Sequence, residues 1–147
     1  MLGSVAVAAQ KNDDVENLNS AVVLLETKPL DKKAKKAGKK AFRFVAETDK
    51  VSVVICTDLA EPFLDKKNKL GSEMLLTYTL SMAAFKLKNP ENNTENDAQV
   101  AGVESALKAY ETAVKLKSKY KYAPIDELIR IRDGDGLAAH YKDVVCA

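Results

Sequence analysis

The chain has one histidine, His140, two cysteines, Cys56 and Cys146, and no tryptophan among its 147 residues. Most metal sites and most nucleophilic mechanisms draw on histidine and cysteine, so this scarcity leaves little material for either. No phosphate-binding glycine loop, paired-glycine nucleotide turn, nucleophile elbow or zinc-ligand spacing occurs to make up for it. Nor does any apolar run approach the roughly 20 residues that a membrane-spanning helix requires. An excess of one charge is missing too. Lys and Arg number 23 against 21 Asp and Glu, a net charge of +2, so no global field favours nucleic acid or an anionic membrane surface.

What remains is ordinary material for a soluble globular domain: 46% apolar and 30% charged residues. A chain of this length makes one core and buries about two thirds of the surface its unfolded form exposes. Residues 1–10 form an apolar run of small side chains that stops at Lys11-Asn12-Asp13-Asp14. Ala6-Val7-Ala8 matches the small-x-small pattern of a signal cleavage site, while a basic leader and a longer apolar stretch are missing. The expectation is a signal-peptide remnant or disordered N-terminus over 1–10, then one helical domain over 11–147. The domain is expected to be exported, periplasmic or secreted, and cytoplasmic otherwise. Cys56 and Cys146 lie 90 positions apart, compatible with one disulfide in an oxidising compartment or with two buried thiols.

Turn-forming residues at Lys28-Pro29, Glu61-Pro62, Asn68 to Gly71, Asn89 to Asn96, Ala123-Pro124 and Gly134 to Gly136 divide the chain. Between them the apolar spacing is helical. Val15, Leu18, Val22 and Leu25 mark one face of a helix over 14–27. Asp31 is placed to cap a second, over 32–48, with Ala34, Ala37, Ala41, Phe44 and Val45 on one side. Val51 to Ile55 has strand propensity but no convincing partner strand, so 50–64 is predicted helical with a break near Pro62. Residues 72–88 are apolar almost all round, as befits a central helix. Asn96 and Gln99 resemble a capping box ahead of Val100, Val103, Leu107, Tyr110 and Val114. Glu104 with Lys108 and Glu111 with Lys115 are spaced as i to i+4 ion pairs. A short helix from Pro124 and a last one over 137–145 complete an all-α, single-domain bundle of six to seven helices.

Four features could carry function. Residues 28–43 hold eight basic side chains against one acid, hence +7, leaving −5 for the rest of the chain. Lys32, Lys36, Lys39 and Arg43 fall on one face and make the candidate site for an anion or an acidic partner. With no aromatic expected on that face to stack a base, nucleic acid is not the predicted ligand, and a solvated face is the plainer expectation. Arg132-Asp133-Gly134-Asp135-Gly136 has the look of a calcium loop, but Ile131 and Lys142 stand where its outer carboxylates belong. A helix stop is expected instead, with Gly134 left-handed. His140 and Cys146 sit six apart near the carboxyl end, a poor setting for a nucleophile and its base.

Fourth, Ala106, Tyr110 and Ala113 resemble the second helix of a tetratricopeptide unit, and Tyr78, Ser81, Met82 and Phe85 its first. The likeness covers about a third of the chain, with a longer loop at 89–96 and Ser118 where the unit has proline. It implies a helical hairpin with a concave peptide-binding face. The function expected is a non-enzymatic exported binding or assembly domain whose partner is a protein or peptide. Its alternatives are an anionic-ligand binder acting through helix 28–43 and a carboxylate enzyme built on Glu104, Glu111, Asp126 and Glu127. No cofactor, metal or catalytic residue is assigned.

Overall fold

The computed structural model describes residues 2–146, with side chains described from Asp13 onward. Among the described residues seven α-helices follow one another: α1 Leu2–Thr27, α2 Lys32–Glu47, α3 Thr57–Leu64, α4 Gly71–Lys88, α5 Glu95–Leu116, α6 Ala123–Asp133 and α7 Leu137–His140. A 3-10 turn, Ser118–Tyr120, links α5 to α6, and there is no strand among the described residues. The small-residue segment read as a signal remnant runs into α1, and its side chains lie outside the described residues.

α4 organises the bundle because its apolar residues serve two cores. Met74, Tyr78 and Met82, four apart, pack with α3, α5, α6 and α7, while Leu80 and Ala83 face α1 and α2. A helix buried on opposite sides must be apolar nearly all round, as its sequence is. Against it runs α5, antiparallel, with Ser81 donating to the carbonyl of Ala101 at 3.3 Å and Lys86 meeting Glu95 at 2.7 Å. Gly102 permits the approach: a Cβ there would lie 2.8 Å from the backbone oxygen of Tyr78. This pair is the hairpin on which the tetratricopeptide likeness rests.

Several local expectations are corrected. Residues 51–56 are neither helix nor strand, and α3 begins only at Thr57. Pro62 does not break α3, since the N–H it lacks would have served only the exposed first turn, at Asp58. The cap of α5 is Thr94, which accepts from the N–H of Asp97, and not Asn96. Asp31 does cap α2, accepting from Lys33 at 2.9 Å. Gly134 closes α6 at φ −93°, and the left-handed glycine is Gly136 at φ 94°. The final helix stops at His140 after one turn, well short of residue 145.

The predicted ion pairs along α5 are replaced by tertiary ones. Lys108 approaches Glu26 of α1 at 3.9 Å, and Glu111 holds Arg132 of α6 in a two-pronged pair at 2.6 and 3.1 Å. That fork keeps the Arg132 guanidinium firmly protonated. Cys56 and Cys146 form a disulfide with α-carbons 5.2 Å apart, tying the start of α3 to the carboxyl end.

Candidate functional site

Residues 51–56 position the site. They pass over α4 and α5 and are tied down at every second residue: Lys86 donates to the carbonyl of Ser52 at 2.8 Å, and Gln99 to that of Val54 at 2.8 Å. The N–H of Cys56 then donates to the hydroxyl of Tyr78 at 3.3 Å. The Tyr78 hydroxyl donates in turn to Gln99, completing a polar network inside an otherwise apolar core. Burial pushes the Tyr78 phenol up to about 12, so it stays neutral and keeps its proton for Gln99.

Between this segment, the second half of α2 and the first half of α4 lies a groove of about 920 Å³. Its walls are mostly apolar: Phe42 and Val45 from α2, Val51, Val53 and Ile55 from the segment, and Leu75 and Leu76 from α4. Phe42 is 47% exposed and Ile55 40%, two large apolar side chains left in water on the same lining. Lys39 and Asp49 stand on the lining with Ser52, Ser72 and Thr79. A concave apolar surface with a few polar groups and a volume of several hundred Å³ is what ligand sites are made of.

The predicted basic residues Lys32, Lys36, Lys39 and Arg43 are exposed along α2, and none makes an ion pair among the described residues. Their neighbour Lys35 is occupied by Glu73 at 3.4 Å. Lys39 alone of the four reaches the groove. The expectation that no aromatic accompanies this face is overturned by Phe42, which lies on its flank. At ~100° per residue Phe42 falls between the buried stripe of Ala34, Ala41 and Val45 and the lysines, so a helical projection would have flagged it.

The other candidates disperse. Glu111 is taken by Arg132, Asp126 accepts from the Tyr110 hydroxyl at 2.8 Å, Glu127 pairs with Arg130, and Glu104 is exposed. The structure therefore gives Glu111, Asp126 and Glu127 three separate partners. Asp133 pairs with Arg132 at 2.9 Å, and no cluster of three potential metal ligands occurs among the described residues. The thiol of Cys146 is consumed by the disulfide, and His140 rests edge-on against Tyr141 at 4.7 Å. No helix among the described residues is long and apolar enough to cross a membrane.

No protein-family model matches the chain, and neither a curated protein nor a solved structure matches it.

Proposed function

We propose that this is an exported, non-enzymatic binding domain that takes a protein or peptide segment into the groove between α2, α4 and residues 51–56. The observation that carries the proposal is the exposure of Phe42 and Ile55, from two different elements, on the lining of one apolar concavity. Exposed apolar side chains scattered singly need no explanation, whereas a set converging on a groove marks a binding surface. The disulfide is in keeping with an oxidising compartment. An anionic ligand held by Lys32, Lys36, Lys39 and Arg43 alone is the weaker arrangement. Those four side chains come from a single helix face and do not share one pocket: Lys39 lines the apolar groove, while Arg43 lines a separate hollow beside Asp14, Glu47 and Asp49.

Selection of peptides from a random display library on the folded, oxidised protein tests the proposal. Enriched peptides are expected to be rich in apolar residues, to compete with one another and to weaken about tenfold or more on Phe42→Asp, as loss of a buried aromatic anchor implies. Enrichment of polyanionic peptides that ignore Phe42→Asp and release steeply with salt would overturn it in favour of the basic face.

A further inference from the structure

The edge of residues 51–55 opposite α4 and α5 is unpaired among the described residues. The carbonyls of Ser52 and Val54 and the N–H of Cys56 all point to α4 and α5, two residues apart, which is the repeat of an extended chain. By the same alternation the N–H and C=O groups of Val51, Val53 and Ile55 point the other way. Among the described residues none of these six groups makes a hydrogen bond. An extended segment fixed along one edge and unpaired along the other is a template for one more strand.

The charge beside the groove narrows the occupant. The lining holds one charge of each sign, Lys39 and Asp49, but the solvent face of α2 beside Lys39 adds Lys32, Lys36 and Arg43, which make no ion pair among the described residues. Resting on the groove proposed above, we infer that the occupant is an extended segment of a partner protein that adds to Val51–Ile55 as a strand. It has apolar side chains at alternate positions, seated against Phe42 and Ile55, and carboxylates turned to the α2 lysines. The open edge offers about 15 Å of backbone, room for four or five partner residues. Main-chain pairing supplies the affinity, the apolar alternation sets the register, and the lysines select the sign of the charge.

Fluorescence anisotropy with four synthetic peptides and the oxidised full chain tests this. The parent is acetyl-Glu-Val-Thr-Val-Glu-Val-Thr-Val-amide; two versions are N-methylated at odd or at even positions; a fourth carries Lys for Glu. The parent is expected to bind saturably. One N-methylated version should weaken about tenfold, because it loses hydrogen bonds on the paired edge, and the other should bind as the parent does. The Lys version should weaken, by a factor that shrinks as salt rises. Equal binding by both N-methylated versions and the parent overturns strand addition while leaving the groove proposal standing. No saturable binding by the parent overturns it too, with the groove judged separately by the display selection. A Lys version that binds as well as the parent overturns the charge assignment.

Discussion

The hydroxyl of Tyr78 donates a hydrogen bond to the side-chain oxygen of Gln99, and both residues are shut off from solvent. Gln99 uses its amide group to hold the carbonyl of Val54, the middle of the three ties that fasten the wall of the groove to α4 and α5. Replacing Gln99 with Leu leaves the Tyr78 hydroxyl and the Val54 carbonyl without their partner. Stability is expected to fall by about 1–3 kcal/mol in urea denaturation, with faster amide exchange across 51–56. A loss of stability with unchanged exchange there would show that the segment is fastened by other means.

The disulfide fastens the same wall from its other end. Reduction, or the double replacement of Cys56 and Cys146 by Ser, removes a link closing a loop of 90 positions. The chain-entropy model assigns such a link about 4–5 kcal/mol. The variant is expected to lose most of that, and mass spectrometry of the untreated protein should find no thiol open to alkylation.

Gly102→Ala should damage the fold while Gly38→Ala should not. At 102 the added methyl meets the fixed carbonyl of Tyr78 at 2.8 Å, so α4 and α5 must separate. The expected cost is about 1–3 kcal/mol. At 38 the nearest atom is the far end of the Leu76 side chain, at 2.8 Å, which can rotate aside. The gain of helix propensity, up to about 1 kcal/mol, then offsets what repacking costs. Thermal midpoints of the two variants give the comparison.

Alkaline pH should loosen the domain through its buried phenols. Burial raises both Tyr78 and Tyr141 to about 12 in the fold. An unfolded chain ionises tyrosine near ~10, so the native state favours the neutral form. Stability from these groups is complete below pH ~10 and is lost as pH rises through about 12. The urea midpoint is therefore expected to fall between pH about 8 and about 11. The Tyr78→Phe, Tyr141→Phe double variant should show a smaller fall.

Much of this architecture is legible in the sequence. The spacing of Leu18, Val22 and Leu25, the cap at Asp31 and the all-round apolarity of α4 define helices that local physics alone decides. The cap at Thr94 was legible as well, from Asp97 three residues on, but Asn96 and Gln99 offer the same spacing. Gln99 serves instead in the core. Residues 51–56 carry the β-branched run of an extended segment, but the sequence offers no partner strand to fix it. What holds them is Lys86, Gln99 and Tyr78, side chains 22 to 45 positions away, and no local pattern signals such partners. Glu111 escaped for the same reason: its spacing to Lys115 is right for a helix pair, yet Arg132 offers two hydrogen bonds and takes it. Phe42 carried a signal, in its angular place on α2, that only a helical projection reveals.

The groove itself is tested most directly by the nuclear magnetic resonance footprint of a display-selected peptide on the labelled, oxidised protein. The predicted result is saturable shifts concentrated on the ring of Phe42, the methyl groups of Val51, Val53, Ile55, Leu75 and Leu76, and the amides of 51–55. Shifts confined to the exposed face of Lys32, Lys36 and Arg43, with Phe42 and residues 51–55 unmoved, would contradict it.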